Sequence, residues 1–580
     1  MSDSPVNDTT VTHIRTDVLI LGSGGAGLYA AIRAKDAAPE KEVTIAVKGL
    51  LGKCGCTRMV QGGYNVALAS DDSLERHFMD TVEGGKWLND QDLVWTLVQG
   101  ARERILELEN RYGCFFDRNP DGTVHQKAFA GQTYDRTVHK GDLTGIEIIN
   151  RLTEQAQMRG VAALEDHRAI ALIKDRTQRA LSGVLMIDMR SGAFKFVQAR
   201  SVLLATGGGP TMYRYHTPSG DKSCDGLAMA LRLGLPLRDM EMVQFHPTGL
   251  LAGPYTRMTG TVLEEGLRGA GGWLLDGKRE RFMQRYHERA ERATRDLVSR
   301  AMYTEMKAGN TTPLGGLYIQ MNHLPAEQIR TQFKGMVDRC ADCGFDLVND
   351  PVEVVPTAHY LMGGVEFSAD CTTALSGLFV AGEDAGGVHG ANRLGGNGVA
   401  NSTVFGAVAG EHMALRSGAW IDPDEEAIAT AVQASLHPFQ LAPGNTETVR
   451  EQLYDIMWEQ VGIVRDRTNL EAAAEALQSI AHELAQAGVA GESRAYHLGW
   501  HDWLNLENLI LVSRCITAAA IARANSCGAH YRSDHTEPPS PDDLSFVRVV
   551  LSRDDFNVTQ QPVHFSRVRP GQTLLDTEVR

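Results

Sequence analysis

The sequence has few of the residues and patterns that mark several classes of protein. Only nine of its 580 residues are cysteine. The closest pairs are one CxC, at Cys54 and Cys56, and one CxxC, at Cys340 and Cys343. A zinc or iron–sulfur site needs more ligands at suitable spacing. We therefore predict that the chain holds no metal site and that its thiols are ordinary buried or surface side chains.

Long apolar runs and an excess of basic residues are absent as well. Residues 1–17 contain no apolar core of the kind found in secretory signals. The longest apolar stretch, residues 509–522, is interrupted by Arg514 and is too short to cross a bilayer. A net charge of −15 argues against non-specific binding to nucleic acid or anionic membranes. We expect a cytoplasmic protein with no nucleic-acid partner and no membrane span of its own.

Glycine, by contrast, is abundant. The chain has 59 glycines, and many fall in pairs or triplets, which suggests backbone brought close to a ligand. Many turns would also explain their number, so their placement has to decide between the two. A chain of 580 residues is too long for one simple core, and its length alone suggests roughly two to four domains.

Three glycines in the pattern GxGxxG separate a strand from a helix near the start of the chain. Gly22, Gly24 and Gly27 follow an apolar strand predicted at residues 16–22, and a second strand is predicted at residues 42–47. This strand–helix–strand order is a βαβ unit, which requires a parallel sheet. The glycines allow a tight turn and close approach to a pyrophosphate, which the helix N-terminus attracts. The pattern predicts a dinucleotide site rather than a structural turn.

The identity of the dinucleotide follows from two further observations. The acidic residue of a simple NAD site, about 20 residues beyond the fingerprint, is missing, because Val47 and Lys48 end the second strand. Two later apolar runs that end in glycine, residues 201–209 and 377–382, are predicted strands that deliver backbone to a ligand. An N-terminal fingerprint followed by a second glycine-rich strand end favours FAD.

Residue composition and apolar periodicity change along the rest of the chain. Residues 240–355 are rich in Arg, Glu and Met and contain a predicted helix at 288–307, so we interpret them as an inserted domain. From residue 422 to about 524 the pattern is helical. Beyond a proline cluster, two strands are predicted at residues 546–551 and 562–568.

Eleven short blocks in fixed order identify a family. They are GSGGAG (22–27), QGGYNVAL (61–68), DMEMVQFHPTG (239–249), EGLRGAGG (265–272), RFM (281–283), Arg295-Asp296, HYLMGG (359–364), AGE (381–383), HGANRLGGN (389–397), MWEQVGIVRD (457–466) and GAHYR (528–532). Across residues 15–535 their number, order and spacing resemble the flavoprotein subunit family of succinate dehydrogenase and fumarate reductase, which includes L-aspartate oxidase.

The resemblance implies an α/β fold with a Rossmann-like two-dinucleotide-binding FAD domain, an inserted α+β capping domain and a C-terminal helical domain. It also implies an FAD-dependent oxidoreductase that interconverts a small C4-type dicarboxylate and its unsaturated form by hydride transfer at flavin N5. The expected boundaries are residues 1–239 and 356–420 for the FAD-binding domain, 240–355 for the capping domain, 421–535 for the helical domain and 536–580 for the tail.

By the same resemblance, the FAD contacts come from the fingerprint, the loop after the second strand, two later carboxylates and the start of a late helix. They are Gly22, Gly24, Gly25, Gly27, Lys48, Thr57, Gln61, Gly62, Gly63, Asp225, Glu383, Gly398 and Val399. The flavin carries the redox step, and the protein supplies orientation and electrostatics.

Five residues match the family's substrate and proton machinery. Arg393, His246 and His359 match carboxylate-binding positions, and the planar fork of arginine suits a carboxylate. Arg295 matches the proton donor. Because arginine side chains have a pKa above about 12, this role needs a relay, for which Glu265 is the candidate. Without the family blocks, the arginines could be surface charges and the histidines core residues.

Two departures from the family pattern concern the cofactor and the substrate. Cys56 occupies the position of the histidine that bonds the flavin covalently, so we expect non-covalent FAD, although a cysteinyl bond is conceivable. Losing the histidyl link lowers the flavin potential and favours fumarate reduction or an oxidase reaction. Glu264 replaces a carboxylate-binding threonine, and an ionised glutamate repels a substrate carboxylate. Either Glu264 is protonated, or it points away, or the substrate carries an amine or hydroxyl there.

Two smaller departures are residues 397–400, Asn-Gly-Val-Ala, which lack a hydroxyl of the family motif, and Cys527, which replaces an arginine. They leave two alternatives open: an L-aspartate-oxidase-like amino-dicarboxylate oxidase and a non-catalytic flavin-binding electron-transfer subunit. The complete proton and carboxylate set argues against the second. The implied partners are a small carboxylate substrate and an iron–sulfur electron-transfer subunit, through which the chain would sit peripherally at the inner face of the membrane.

Overall fold

The first apolar run forms a central strand in the computed structural model, which describes residues 8–254 and 256–575. The strands of these residues are β1 Val11–Leu21, β2 Val43–Ala46, β3 Tyr64–Asn65, β4 Gln126–Lys127, β5 Thr137–Val138, β6 Ala162–Leu164, β7 His167–Lys174, β8 Leu181–Asp188, β9 Phe194–Leu204, β10 Leu237–Arg238, β11 Val243–Leu250, β12 Trp273–Leu275, β13 Leu317–Gln320, β14 Val352–Leu361, β15 Gly364–Val365, β16 Leu378–Val380, β17 Ser545–Ser552 and β18 Asp555–Pro562.

The helices lie around four sheets. They are α1 Gly25–Ala37, α2 Leu74–Gly84, α3 Gln91–Asn110, α4 Thr144–Met158, α5 Asp225–Arg232, α6 Gly266–Gly269, α7 Arg295–Lys307, α8 Ala326–Gln332, α9 Lys334–Asp342, α10 Asn397–Arg416, α11 Glu425–Leu436, α12 Thr446–Glu459, α13 Arg467–Gln486 and α14 Leu498–Ala522.

The largest sheet has seven strands in the order β6-β2-β1-β9-β8-β7, with β16 paired to the end of β9. The pairs β2–β6, β1–β2, β1–β9 and β9–β16 are parallel, whereas β7 and β8 form an antiparallel extension of β9. The C-terminal ends of the parallel strands therefore meet at one edge, where open α/β sheets bind ligands. This architecture confirms the predicted α/β class with a Rossmann-like core.

The segment of the chain between β9 and β16 of this large sheet forms a second sheet of its own. Strands β11-β14-β13-β12 are antiparallel, and α7 packs on β11. A separate apolar core lies beneath them, with Leu263, Phe282, Met302 and Ile319 fully buried. The segment thus has an apolar core of its own, while Phe245 and Val355 of its sheet join the core of the large sheet.

Two predicted elements differ from the structure. The predicted helix at residues 288–307 begins only at Arg295, because Ala293 and Thr294 are extended and Thr294 is the N-cap. The predicted strand at residues 562–568 is wrong: the partner of β17 is Asp555–Pro562, which folds back through a tight turn with Arg553 at φ 58°. The polar residues of this exposed strand concealed its pattern.

The apolar stretch near residue 509 belongs to a longer helix than its length indicated. Helix α14 has 25 residues, and it is the one helix of the described part of the chain that is long and apolar enough for a membrane crossing. However, 67% of its most apolar window is buried within the protein. Trp500 and Leu506 are fully buried there. Such burial is what the core helix of a folded domain requires.

Candidate active site

The sequence-predicted residues meet at one cavity of about 550 Å³, a volume within the range of cofactor and ligand pockets, about 300–1,000 Å³. All six substrate and proton candidates line it, namely His246, Glu264, Glu265, Arg295, His359 and Arg393. Of the cofactor candidates, the lining residues are Gly22, Gly24, Gly25, Lys48, Thr57, Gln61, Gly62, Gly63, Asp225, Glu383, Gly398 and Val399. Gly27 alone lies behind the wall.

The fingerprint glycines have distinct geometric roles. Gly22 has a φ of +109°, and a Cβ there would lie 2.2 Å from the carbonyl oxygen of Ala205. A Cβ on Gly27 would lie 2.0 Å from the carbonyl oxygen of Gly22, so Gly27 lets α1 pack against the strand end. At Gly24 the nearest atom is 3.6 Å away, on Thr57. The middle glycine therefore exposes backbone to the cavity, as a bound pyrophosphate requires.

Two helices begin at this cavity. The first residue of α1, Gly25, donates its N–H to Thr57 Oγ1 at 3.1 Å. Helix α10 begins after Gly396, which has a φ of +88°, and its first turn brings Gly398 and Val399 to the wall. Both N-termini carry positive potential. The cavity is thus suited to the phosphates and polar ring edge of a flavin dinucleotide.

The carboxylate that is missing at the end of the second strand is supplied by Asp225, which is buried. Asp225 Oδ2 lies 2.7 Å from Lys48 Nζ, just beyond β2, and Oδ1 lies 3.0 Å from Arg168 Nη2. Asn508, on α14, donates to Oδ1 at 2.9 Å. Burial acts to raise the pKa of Asp225, but Lys48 and Arg168 outweigh it, and the net pKa lies below its ordinary value. The acidic group of the cofactor site is therefore ionised and comes from α5.

Glu383 and Cys56 lie on the same wall. Glu383 Oε1 accepts hydrogen bonds from the backbone N–H groups of Leu361 at 3.0 Å and Gly209 at 3.2 Å. It thereby ties the second glycine-rich strand end to β14. Cys56 opens a short 3₁₀ turn, and burial, with a contribution from Glu383, raises its pKa to about 12. Cys56 therefore keeps its proton at neutral pH.

Two neutral histidines face each other on adjacent strands of the antiparallel layer. The ring centroids of His246, on β11, and His359, on β14, lie 5.4 Å apart. Burial lowers the pKa of both rings well below the usual value, and Arg295 adds to the effect. The N–H of Thr248 donates to His246 Nδ1 at 3.3 Å. The proton of neutral His246 is thus on Nε2, which makes that nitrogen a donor.

Arg393 is a buried cation without a carboxylate partner. It is 7% exposed, and its guanidinium carbon lies 4.5 Å from the centroid of the Tyr360 ring. Its Nε donates to no acceptor in the described residues, and no carboxylate of residues 8–254 or 256–575 pairs with it. Burial lowers its pKa to about 10, with Arg295 contributing. A buried charge without a counter-ion is costly, so this arginine is set to receive an anion.

Arg295 belongs to a buried network of alternating charges. Its Nε and Nη2 donate to Glu265 Oε2 at 3.1 and 2.7 Å, and Arg268 Nη2 donates to Glu265 Oε1 at 3.1 Å. Arg295 Nη1 also donates to Gln244 Oε1 at 3.1 Å. Burial acts to raise the pKa of Glu265, but Arg295 and Arg268 outweigh it and the net pKa is lowered. One carboxylate thus joins two guanidinium groups.

Glu264 lies on the cavity wall and has a partner that the sequence did not reveal. Lys127 Nζ forms an ion pair with Glu264 Oε1. Burial raises the pKa of Glu264, and Lys127 opposes that shift. Glu264 is thus a residue of the cavity wall whose Oε1 is turned toward Lys127.

Several residues of the site escaped the sequence reasoning. The missed positions are Lys127, Arg168, Arg268, Gln244 and Asn508. Arg268 could have been found, because it lies one helical turn beyond Glu265 in the same block. Lys127 and Asn508 carry no local signal, since their partners lie 137 and 283 residues away in the sequence.

The chain is similar to known proteins in both sequence and fold. A family model described as FAD binding domain matches residues 17–399, and one described as fumarate reductase flavoprotein C-term matches residues 450–574. The chain is 40% identical over 536 residues to one of the subunits of the fumarate reductase (CoM/CoB) of Methanothermobacter marburgensis, covering 90% of this chain and 94% of that relative.

Similarity extends to bacterial respiratory proteins. The chain is 33% identical over 570 residues to the fumarate reductase flavoprotein subunit of Escherichia coli, covering 94% of this chain and 92% of the relative. A solved chain of E. coli quinol fumarate reductase superposes with a TM-score of 0.91 at 31% identity, covering 97% of this chain and 99% of that chain.

Proposed function

Because the chain belongs to the succinate dehydrogenase/fumarate reductase flavoprotein family, we propose that it interconverts a small C4-type dicarboxylate and its unsaturated form. It is an FAD-dependent oxidoreductase of the class that acts on CH–CH groups.

The cofactor half of the cavity fits FAD. Open backbone at Gly24, two helix N-termini and the ionised Asp225 supply groups for a pyrophosphate, a flavin ring edge and a ribose. When bound, FAD supplies the two-electron hydride donor or acceptor. The protonated thiol of Cys56 is a weak nucleophile, which supports non-covalent attachment.

The observation that carries the proposal is the unpaired Arg393. Its buried guanidinium, beside the neutral His359 and His246, offers donors to a carboxylate from one side. A substrate carboxylate would neutralise this charge and accept bidentate hydrogen bonds. Polarising that carboxylate also draws electrons from the conjugated double bond, so that its far carbon accepts the hydride and the carbon next to the carboxylate accepts the proton.

Arg295 is the proposed proton donor and acceptor for the neighbouring carbon. A guanidinium gives up a proton only when another group replaces it at once. Glu265 contacts Arg295 through two hydrogen bonds and reaches Arg268 on its other oxygen. This continuous hydrogen-bonded path supports Glu265 as the relay.

Electrons are proposed to pass to or from an iron–sulfur subunit. The M. marburgensis and E. coli relatives are named as subunits of larger enzymes. A partner of this kind would explain how a chain with scattered cysteines takes part in electron transfer. We propose a cytoplasmic location, peripheral at the inner face of the membrane through that partner.

The test is anaerobic flavin spectroscopy of the purified holoprotein. We expect succinate to bleach the flavin band slowly, or fumarate to reoxidise the flavin after reduction by dithionite. Arg393→Gln should abolish either response while keeping the flavin. If wild-type protein responds to no small dicarboxylate in either direction, the proposed function is wrong.

A further inference from the structure

Glu264 differs from the other charged groups of the cavity because one of its oxygens is available. The side chain is 3% exposed, and the cavity is lined by it. Oε1 is held by Lys127 Nζ. Oε2 accepts no hydrogen bond from residues 8–254 or 256–575, yet it is not among the polar atoms enclosed without a partner. This oxygen is therefore an accessible acceptor without a donor, on a residue that lines the cavity.

The backbone fixes Glu264 beside the substrate histidine. Leu263, the preceding residue, donates its N–H to the carbonyl oxygen of Thr248 at 2.8 Å, and Thr248 Oγ1 donates to the carbonyl oxygen of Leu263 at 2.8 Å. Thr248 is two residues beyond His246 and donates to its ring. Glu264 and His246 thus belong to one rigid wall.

Lys127 supports this acceptor from outside the cavity. It lies on β4, behind Glu264, and is not among the residues that line the cavity in the described part of the chain. Its ammonium is 5.7 Å from the centroid of the Phe129 ring. The lysine is therefore held on two sides. It keeps the carboxylate oriented and balances its charge, so that a negatively charged ligand is not excluded from the cavity as a whole.

A substrate carboxylate would be a poor neighbour for Glu264 Oε2. When Glu264 is ionised, the state that its ion pair with Lys127 favours, two carboxylate oxygens at hydrogen-bond distance have no proton between them, and repulsion is strong in a buried site. An O–H or N–H group, in contrast, would satisfy the free oxygen with a charge-assisted hydrogen bond. Glu264 thus favours a substrate that carries a hydrogen-bond donor beside the carboxylate bound by His246.

We propose that Glu264, oriented by Lys127, is a specificity-determining residue that selects small dicarboxylates carrying a hydroxyl or ammonium donor over unsubstituted ones. This inference rests on the proposed function, because it assumes that the cavity takes a dicarboxylate. It deepens that proposal by naming the substituent. Lys127 acts through Glu264 and is a positioning residue.

The experiment is isothermal titration calorimetry of the anaerobically photoreduced holoprotein, in which reduced flavin cannot oxidise saturated acids. The ligands are succinate, L-malate and L-aspartate, which differ at one carbon by H, OH and NH₃⁺. We expect L-malate or L-aspartate to bind at least about tenfold more tightly than succinate, as a hydrogen bond to a charged group predicts. Preference for one of the two identifies the donor as hydroxyl or ammonium.

Variants test whether Glu264 is the cause. Glu264→Thr should reduce the preference to less than about twofold, and Glu264→Gln, which keeps the shape, covers the case in which the threonine variant does not fold. Lys127→Met should weaken the preference with flavin content unchanged. Glu459→Thr, at the exposed Lys307–Glu459 ion pair, is the matched control and should keep the wild-type ratio.

Two results would overturn the inference. The first is succinate binding as tightly as both substituted acids to the wild-type protein, and the second is a preference that survives in both Glu264 variants. Failure of the proposed function has a different signature, because none of the three acids would then bind to any variant and fumarate would not reoxidise the flavin.

Discussion

The cofactor half and the substrate half of the cavity are formed by different kinds of chemical group. The cofactor half consists of glycine backbone, helix N-termini and one ionised carboxylate, and several contacts there have less than 3 Å of room for a Cβ. The substrate half consists of long charged side chains and neutral rings on the antiparallel layer. Backbone geometry cannot be exchanged without moving strands, whereas side chains can be exchanged one at a time. Glu264, at a position where the family's pattern has a carboxylate-binding threonine, is such an exchange in the substrate half.

The largest expected effect is on turnover, and it distinguishes the substrate half of the cavity from the cofactor half. Arg295→Gln should lower turnover by about 10³-fold, the range for loss of a general acid, and should leave flavin content unchanged. Steady-state rates and the ratio of flavin to protein absorbance measure both. Arg300→Gln, on the same helix and stacked on Tyr531, is the control and should change turnover less than twofold. Flavin loss in the Arg295 variant would mean that the halves are not separable.

The next effect concerns stability and pH on the cofactor side. Asp225→Asn leaves the buried Arg168 and the half-buried Lys48 without their counter-ion, which should cost about 3 kcal/mol in the free energy of unfolding and release flavin. The native pKa of Asp225 is lowered, so its contribution is present above the unfolded pKa, about 4, and is lost as pH falls below it.

Urea unfolding between pH 3 and pH 7 checks this prediction. The wild-type protein should lose more stability on acidification than the Asp225→Asn variant. Asp338→Asn, at an exposed ion pair with Lys334, is the control and should change stability by less than about 1 kcal/mol. Parallel pH curves for the wild-type protein and the Asp225 variant would contradict the assigned ion pairs.

A smaller effect tests the backbone itself. Gly27→Ala introduces a Cβ 2.0 Å from the carbonyl oxygen of Gly22, which should cost about 1–3 kcal/mol through displacement of α1. Flavin content after gel filtration should fall with it, although Gly27 does not line the cavity. Gly418→Ala, where no atom lies within 4 Å of the added Cβ, should retain full flavin. Full flavin content in the Gly27 variant would show that FAD still binds when α1 is displaced.

The smallest expected effect is on attachment of the flavin. Because the pKa of Cys56 is raised to about 12, the thiol is protonated at neutral pH and Cys56→Ser should change flavin content by less than about a tenth. Acid precipitation of wild-type protein should leave the yellow colour in the supernatant. Colour that remains in the pellet of the wild-type protein, but not of the serine variant, would identify a cysteinyl bond.

The contrast between the halves also explains what the sequence could predict. The fingerprint was predictable because its glycines are close in sequence and because each has a local geometric reason. Arg295, Glu265 and His246 were found only through ordered family blocks. The Lys127–Glu264 pair was not found, because 137 residues separate its members and one sequence contains no distances. The start of α7 and the position of β18 were missed where capping and exposure outweighed the apolar pattern.

Asn508 has a consequence for the way in which the protein is made. This residue of α14 donates to Asp225, so a side chain from late in the chain completes a site whose fingerprint glycines are translated long before it. A ribosome must therefore deliver most of the polypeptide before the carboxylate has all its partners. Chains released before α14 is made should therefore hold FAD less tightly than the chain that contains it.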